Sequence, residues 1–326
     1  MKEHWQARST TPIDPDRPIE SLLRARNRSI NELDLGLSAI VPVRQLDGVE
    51  TLAARLLDAI ESKQLIAVVG DFDCDGATAS VVLCKAIAAA GGIVTSIIPS
   101  RIAHGYGLSP TVVDAALASG ATLIVTVDNG VSAHAGVAHA QNHGVDVLIT
   151  DHHLPGLTLP PALMVNPNGP HGRFPSRALA GVGVAFYVAV ELSRQAQERR
   201  LRSLDCRSLL PLVALGTVAD LVPLDHNNRV LVAAGLKRIR AGLANAGIAA
   251  LIDVSKRRAG ELSATDLGFG IGPRVNAAGR LEDMQIGVEC LCCDDPVAAR
   301  ELAARLDAIN AERRGVQQDM VDQAEA

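Results

Sequence analysis

The stretch that decides the fold is LIAVVGDFDCDGATASVVLCKAIAAAGG, residues 65–92. It begins with a short apolar run, passes through three aspartates, and continues as an alanine-rich segment that closes on two glycines. A short apolar run that does not alternate with polar residues is typical of a strand buried on both faces. The segment after it is long enough for a crossover helix, and glycine is common where helices end. The stretch therefore predicts one β-α unit of a parallel sheet.

The same scheme recurs along the chain. The further apolar runs are IVTSIIP (93–99), TLIVTV (122–127), DVLIT (146–150) and ALMVNP (162–167). Helix-like segments that close on glycine separate most of these runs. A β-α series of this kind predicts an α/β fold with a doubly wound, mostly parallel, five-stranded sheet. We place this core within residues 61–170.

The flanking segments are predicted to be helical. Residues 1–60 form an N-terminal helical segment, and residues 171–294 form a helical extension of the core. From Asp295 to Ala326 the sequence indicates one long helix with no stop signal. A chain that ends inside a helix indicates a cut, so we expect residues 295–326 to be the start of an interdomain helix.

Composition restricts the class of protein. Hydrophobic residues make up 48% of the 326 residues and aromatics only 2%, so the core is expected to consist of Ala, Leu, Val and Ile. We expect no membrane span and no secretory signal, because no apolar run is long enough, and a cytoplasmic location follows as the default. The six cysteines are expected to be reduced and structural.

Charge gives a mixed indication about nucleic acid. The net charge of −5 argues against a nucleic-acid partner unless bound cations neutralise a cluster of carboxylates. Basic runs occur at residues 194–202, 237–240 and 256–258. Such runs are most often solvated helix faces.

Acidic and histidine side chains follow three of the predicted strands. In an open α/β sheet, ligands bind at the carboxyl ends of the strands, so these side chains should converge. That many carboxylates repel one another unless cations compensate. The residues are Asp71, Asp73 and Asp75 after the first strand, Asp128 after the third, and Asp151, His152 and His153 after the fourth.

The ligand types indicate the metal. Carboxylate with imidazole suits Mn²⁺ or Mg²⁺ better than zinc or copper, and two such ions clamp a phosphate and activate water. If the D-x-D stretch is extended, Asp73 and Asp75 project to the same side, and Gly76 permits a tight turn into the next helix. No cysteine or serine is placed as a nucleophile, and no organic cofactor is expected. A single calcium loop or simple turns are the alternative interpretation of these motifs.

Four motifs resemble, in order, those of the DHH phosphoesterases. They are Asp71–Gly76, Asp128–Gly130, Asp151–His153 and Gly216–Asp220. The resemblance implies that Asp73, Asp75, Asp128, His152 and Asp220 ligate the two ions, with Asp128 bridging them. Asp71 would be a further ligand or a partner of water, and Asp151 and His153 would orient ligands or the scissile phosphate.

Further stretches resemble the branch of that family that degrades single-stranded DNA. They include Arg101 with GYGL (105–108), VNPN (165–168), LAGVGV (179–184) and GPRVNAAGR (272–280). The resemblance implies 5′-to-3′ release of 5′-mononucleotides in DNA recombination and repair. Substrate contacts are expected from Arg101, Tyr106, Arg274, Asn276 and Arg280. Two of these have an alternative: Tyr106 as a loop anchor, and Arg274 as a structural tie between the helical half and the sheet.

The resemblance also implies partners and leaves rival functions open. Single-stranded DNA is the expected substrate, and a single-strand-binding protein and a helicase are possible partners. The family continues into a second catalytic lobe and an oligonucleotide-binding fold that this chain lacks, so weak activity is expected. The alternatives are a nuclease for short oligoribonucleotides or cyclic dinucleotides, a non-enzymatic scaffold, and a truncated core with little activity.

Overall fold

The computed structural model describes residues 12–99, 105–170 and 172–325. Its centre is a five-stranded sheet in the order β2-β1-β3-β4-β5, with every neighbouring pair parallel. The predicted mostly parallel sheet is therefore confirmed, and it is parallel throughout. The strands are β1 (Leu65–Val69), β2 (Ile93–Ile97), β3 (Leu123–Val127), β4 (Asp146–Thr150) and β5 (Leu163–Val165).

Helices precede, connect and follow these strands. Short 3-10 turns and one π-helical turn, Leu267–Ile271, lie between them. The helices are α1 (Pro18–Arg24), α2 (Val49–Glu61), α3 (Cys74–Ala89), α4 (Pro110–Ala118), α5 (His134–Asn142), α6 (Gly181–Glu198), α7 (Leu210–Ala219), α8 (His226–Arg240), α9 (Ala246–Val254), α10 (Ala264–Asp266), α11 (Gly272–Leu281), α12 (Gln285–Cys292) and α13 (Pro296–Glu325).

Both faces of the sheet are covered, as the non-alternating apolar runs predict. Along β1, Ile66 and Val68 face one apolar cluster, to which α2, α3 and α6 contribute. Ala67 and Val69 face a second, smaller cluster beneath α4 and α5. Successive residues of a strand point to opposite faces, so a strand that is apolar throughout serves two layers. The doubly wound arrangement is thus confirmed.

The helical half shares its core with the sheet. The larger apolar cluster continues from the strands into α7, α9 and α11 and reaches Leu306 and Ile309 of the long helix α13. The predicted long C-terminal helix is present, and its buried residues end at Asn310. The divisions at residues 60, 170 and 294 stay predictions, and one continuous apolar cluster contains residues from both sides of each of them.

The strand order places a crevice at the centre of the sheet. The chain leaves β1 through α3 on one face to reach β2, and it reaches β3 and β4 through α4 and α5 on the opposite face. The direction of winding therefore reverses between β1 and β3. Ligands of doubly wound sheets bind at this switch point, beyond the carboxyl ends of the strands.

Candidate metal centre

The first acidic motif lies in the loop and helix start after β1. The Oδ1 atom of Asp73 accepts hydrogen bonds from the amides of Asp75 (2.9 Å) and Gly76 (3.0 Å), which makes Asp73 the N-cap of α3. The prediction of an extended D-x-D stretch is therefore wrong, because capping favours a helix from Cys74 onward. The reason proposed for Gly76 is also wrong: Gly76 lies inside α3, and a Cβ there would be 2.6 Å from the Asp71 backbone.

Asp75 reaches across the crevice to a helix of the second half. Its two carboxylate oxygens accept hydrogen bonds from the amides of Gly181 (2.7 Å) and Val182 (2.9 Å), at the start of α6. Amides at a helix N-terminus have no partner within the helix and attract negative charge. Asp75 therefore joins the strand end of one half to the first turn of α6 and is held rigidly.

Asp128 occupies the end of β3 in an unusual backbone conformation. Its φ of 61° lies in the left-handed region, which aspartate tolerates better than most residues. The side-chain amide of Asn129 donates to the carbonyls of Val69 (3.1 Å) and Val127 (2.9 Å) and so joins the ends of β1 and β3. Gly181 lies directly against Asp128, since a Cβ there would be 2.5 Å from Oδ1. The end of β3 and the start of α6 thus fix the position of the Asp128 carboxylate.

The third motif consists of an orienting carboxylate and two different histidines. Asp151 accepts hydrogen bonds from the Val131 amide (2.8 Å), from the amides of His152 and His153, and from His153 Nδ1 (2.8 Å). Burial opposes ionisation, but these hydrogen bonds, first that from His153, hold the pKa of Asp151 below its usual range. Asp151 is therefore held by four hydrogen bonds, one of them from the His153 ring.

His152 points its Nε2 atom into the crevice. This atom lies 3.0 Å from Asp128 Oδ1 and 3.7 Å from Asp220 Oδ2. Burial lowers the pKa of His152 to about 4, so the imidazole is neutral near pH 7. The ring also hydrogen-bonds the backbone of Leu179. A neutral imidazole that is oriented in this way is suited to binding a metal ion.

Asp220 completes the cluster from the C-terminal end of α7. Three sets of side chains bring their ligand atoms within 4.8 Å of one another. Asp128 belongs to two of the sets and His152 to two, so the sets overlap. They are Asp71, Asp73 and Asp128; Asp75, His152 and Asp220; and Asp128, His152 and His153.

Electrostatics favour bound cations in this cluster. Burial, followed by the neighbouring Asp73 carboxylate, raises the pKa of Asp71 and of Asp220 to about 7. Burial and the surrounding carboxylates raise the pKa of Asp75 and Asp128 well above the usual range. Bound divalent ions would reverse this repulsion, because they become the largest local charges.

The ligand atoms themselves fit metal ions. Four buried atoms in the crevice form no hydrogen bond within the described part of the chain, although two of them, Asp128 Oδ1 and His152 Nε2, lie 3.0 Å apart. Buried polar atoms without a hydrogen bond are rare in native proteins. Carboxylate oxygens with one imidazole nitrogen are a donor set suited to Mn²⁺ or Mg²⁺. The atoms are Asp71 Oδ1, Asp128 Oδ1, His152 Nε2 and Asp220 Oδ2.

Of the five predicted substrate residues, Tyr106 borders the crevice. Tyr106, 56% exposed, places its hydroxyl 3.4 Å from His153 Nε2, and its ring meets Phe72 edge-on. A cavity of about 530 Å³ opens beside it, with His153 and Leu154 in its wall. Arg101 lies outside the described residues.

The other three lie on the helix that runs from the π-helical turn through α11. Asn276 accepts a hydrogen bond from the Cys74 amide (2.7 Å), and Gly279 approaches so closely that a Cβ would be 2.0 Å from the Phe72 carbonyl. This helix therefore supports the first acidic motif directly. Arg280 is exposed, and no ion pair or hydrogen bond is seen for it among the described residues.

Arg274 has the contacts of a structural residue. It forms an ion pair with Asp307 (2.8 Å) and donates to the carbonyls of Gly270 and Val254. Its side chain is only 13% exposed. These contacts favour the structural alternative over a phosphate contact, but the tie runs within the helical half and not to the sheet.

Several supporting residues escaped sequence reasoning. The side-chain amide of Asn166 donates to the His153 carbonyl (2.9 Å), and that of Asn168 donates to the His152 carbonyl (2.6 Å), so both hold the histidines in place. Asn129 and Gly181 support Asp128 as described above. The VNPN signal at the end of β5 could have suggested the first pair. Nothing local in the sequence indicates the approach of Gly181 to Asp128.

Comparisons with known proteins show which family this chain resembles. A family model described as "DHH family, N-terminal domain" matches residues 65–217. The single-stranded-DNA-specific exonuclease RecJ of Dickeya dadantii is 51% identical over 301 residues, which cover 90% of this chain and 52% of that protein. The chain therefore spans about half the length of this curated relative.

Solved structures show the same fold. A crystal structure of exonuclease RecJ bound to manganese superimposes with a TM-score of 0.79 at 34% identity, covering 87% of this chain and 70% of that one. RecJ of Thermus thermophilus in complex with Mn²⁺ superimposes with a TM-score of 0.80 at 32% identity, covering 94% of this chain and 44% of that one. The structure of the same protein in complex with Mg²⁺ superimposes with a TM-score of 0.70 at 28% identity, covering 94% of this chain and 41% of that one.

Proposed function

The chain belongs to the RecJ family of DHH phosphoesterases, and from that membership we propose that it hydrolyses single-stranded DNA from the 5′ end. The products would be 5′-mononucleotides, and the role would lie in DNA recombination and repair. The observation that carries the proposal is the set of four unpartnered ligand atoms at the switch point of the sheet. Relatives named as single-stranded-DNA-specific exonucleases supply the substrate class.

The site is proposed to hold two Mn²⁺ or Mg²⁺ ions. Asp71, Asp73 and Asp128 would hold one ion, and Asp75, His152 and Asp220 would hold the other. Asp128 belongs to the first set and lies 3.0 Å from His152 Nε2 of the second, so it would contribute to both ion sites. When bound, the ions would lower the pKa of water and neutralise charge that develops on the phosphate oxygens.

His153 is proposed to act on the phosphate. Its hydrogen bond to Asp151 raises the pKa of His153 and holds Nδ1. Nε2, 3.4 Å from the Tyr106 hydroxyl, is then the ring atom that can donate toward the crevice. A proton at Nε2 would hydrogen-bond a phosphate oxygen or stabilise the departing oxygen. Asp151 thus acts through His153, and Asp71 acts as a metal ligand or a partner of the attacking water.

The substrate strand is proposed to cross the crevice along the helix that contains α11. The cavity of about 530 Å³ beside Tyr106 would take the terminal nucleoside, and Arg280 would contact a phosphate. Phe269, on the π-helical turn, is 79% exposed. Gly268 in this turn packs against Val218, and Gly272 directly after it packs against Ala219. Both contacts lie just before Asp220 in the chain. An exposed aromatic side chain at this place suits the stacking of a base. Arg101 stays a proposed phosphate contact.

Partners and location are proposed from the family alone. A single-strand-binding protein and a helicase would supply or expose the strand, and the reaction would take place in the cytoplasm without an organic cofactor. In the described part of the chain, no helix has the length and hydrophobicity needed to cross a bilayer.

The test uses the chain with Mn²⁺ and a 5′-labelled single-stranded DNA, beside its duplex and an RNA of the same sequence. We expect labelled mononucleotide from the single-stranded DNA, none from the duplex, and none with Asp128→Ala. Manganese binding, followed by calorimetry, should be lost in the same variant. Preference for short RNA would instead support the oligoribonuclease alternative. Manganese binding without any hydrolysis would contradict the proposal that this part of the family's chain is active by itself.

A further inference from the structure

The backbone directly after α7 adopts a conformation that leucine rarely takes. Helix α7 ends at Ala219, Asp220 is its C-cap, and Leu221 follows with a φ of 62°. This φ lies in the left-handed region, where the Cβ of an L-residue comes too close to the following carbonyl oxygen. Glycine has no Cβ and is the usual residue at such a position. For a side chain as bulky as that of leucine, a positive φ is a sign of strain.

The ends of the other helices show that a leucine at this position is an exception. Each of the eight helices from α2 to α9 is followed, two positions after its last residue, by a residue with φ between 57° and 90°. Four of these residues are glycine, which avoids the steric cost, and three are basic, which suits the negative end of the helix dipole. Leu221 has neither advantage. The other seven are Lys63, Gly91, Gly120, Gly144, Arg200, Gly242 and Lys256.

Packing within the described part of the chain does not explain the leucine either. An apolar residue at such a position can pack back against the helix that it follows. The Leu221 side chain is 82% exposed, so it buries little of its surface in this way. Strained residues that gain no packing are typical of sites where function requires the conformation. The exposed leucine is therefore suited to contact a molecule that binds beside it.

The position of Leu221 in the chain places it at the rim of the crevice. It follows Asp220, whose Oδ2 atom lies 3.7 Å from His152 Nε2, and successive Cα atoms are about 3.8 Å apart. The π-helical turn packs against the last residues of α7, so the exposed Phe269 and Leu221 belong to two segments that are in contact. Exposed apolar side chains next to a polar site are a feature of binding surfaces. Leu221 thus adds an aliphatic side chain to this rim.

The two faces of the sheet indicate which part of a DNA strand would reach Leu221. The cavity beside Tyr106 lies among the starts of α4 and α5, on the face of the smaller apolar cluster. Helix α7 belongs to the larger cluster on the opposite face, and the acidic crevice lies between the two. A strand with its terminal nucleoside in the cavity and its scissile phosphate at the crevice would continue toward α7. The base on the 3′ side of that phosphate would then come to Leu221.

We propose that Leu221 is a specificity-determining residue whose side chain packs against the base on the 3′ side of the scissile phosphate. This proposal rests on the proposed hydrolysis of single-stranded DNA from its 5′ end. An unpaired base presents its flat face to an aliphatic side chain, whereas a base inside a duplex has first to be unstacked. The contact would therefore favour a single strand over a duplex.

The test compares two 5′-radiolabelled single strands of twelve thymidine nucleotides, one of which has a tetrahydrofuran abasic residue in second place. Release of the labelled nucleotide with Mn²⁺ then reports the first cleavage alone. Asparagine tolerates the left-handed conformation, so Leu221→Asn removes the apolar side chain without adding strain. We expect this variant to raise KM about five- to tenfold on the normal strand, with kcat unchanged, because a partly buried leucine is lost from the complex. On the abasic strand its KM should equal that of the parent chain.

A second variant and two matched controls separate this contact from a structural role. Leu221→Gly should raise KM in the same way, while its melting temperature should not be lower than that of the parent chain, because the strain is removed. Lys63→Asn changes a residue with the same backbone conformation, at the opposite end of β1 from the crevice. Val297→Asn removes another exposed aliphatic side chain, 58% exposed, from α13. Both controls should keep the kinetics of the parent chain.

Three outcomes would overturn the proposal. An equal rise in KM on the normal and abasic strands would exclude a contact with the base. A lower melting temperature or weaker manganese binding in both Leu221→Asn and Leu221→Gly would assign a structural role to the leucine. The third outcome is unchanged KM in both variants.

A binding measurement keeps this proposal separate from the proposed activity. Fluorescence polarisation of the two strands, labelled at the 3′ end and with Ca²⁺ in place of Mn²⁺, measures the same contact without cleavage. If the parent chain binds the normal strand but releases no nucleotide, the proposed activity fails, and weaker binding by Leu221→Asn on the normal strand alone still supports the contact. If the parent chain binds neither strand, both proposals fail.

Discussion

Replacing Gly181 by alanine tests whether α6 determines the position of the Asp128 carboxylate. A Cβ at this position would lie 2.5 Å from Asp128 Oδ1, whereas ordinary contacts begin near 3.4 Å. The carboxylate would therefore have to move by about 0.9 Å, the difference between these distances. Asp128 has little freedom to do so, because its amide is bound to the Thr150 carbonyl and its side chain is buried.

The expected loss follows from the size of this shift. A misplacement of about 1 Å in a catalytic group costs on the order of 10²-fold in rate. We expect Gly181→Ala to lower turnover of single-stranded DNA by about that factor and manganese affinity by about 10- to 100-fold. Overpacking should also cost about 1–3 kcal/mol of stability. Isothermal titration with Mn²⁺, release of labelled nucleotide and urea denaturation measure the three quantities.

Gly92→Ala is a matched control. A Cβ there would lie 2.6 Å from the Ile87 side chain, a comparable overlap, but it is at the opposite end of α3 from Asp73. We expect it to lose stability while it retains manganese affinity and activity. The reasoning would be refuted if Gly181→Ala bound Mn²⁺ and turned over DNA like the parent chain. It would also be refuted if Gly92→Ala lost metal affinity equally.

Three further predictions concern the same crevice. In the metal-free protein the pKa of Asp71 and Asp220 is raised to about 7, above the ordinary value of 3.8. Protonation of these two carboxyls therefore stabilises the folded state fully below pH 3.8, and this contribution is lost as the pH rises through 7. Without metal, the melting temperature should therefore fall as the pH rises from about 4 to about 7. Added Mn²⁺ should raise it more at pH 8 than at pH 5, and the opposite order would contradict the assigned pKa direction. Asn276→Ala leaves the Cys74 amide without its acceptor and should cost about 1–3 kcal/mol in urea denaturation. A raised KM for DNA at unchanged stability would instead identify Asn276 as a substrate contact. Phe269→Ala should raise KM for single-stranded DNA about tenfold, because a stacked base contributes about 1–3 kcal/mol, and it should leave hydrolysis of a small nucleoside 5′-aryl phosphodiester unchanged. Equal losses on both substrates would exclude stacking.

Much of the architecture could be predicted from local patterns. An apolar run such as residues 65–69 is typical of a doubly covered strand, because β periodicity is a property of neighbouring residues. Parallel strands place their carboxyl ends at one edge, so the convergence of Asp71, Asp128 and His152 could also be predicted. Asp220 could not be found in this way, since a lone aspartate at a helix end has no distinguishing local signal. Only the family resemblance indicated it.

The sequence by itself determined the five-stranded sheet, the position of the crevice and the kind of ion that the crevice would hold. These follow from side-chain chemistry and from periodicities that extend over a few residues. Tertiary structure alone decided that Asp73 is a helix cap, that Asp75 is bound by α6, and that Gly181 sets the place of Asp128. It also decided that Arg274 pairs with Asp307 within the helical half. Each of these depends on contacts between segments far apart in the chain, and the distance between such segments is set by the packing of the whole core and not by any local pattern.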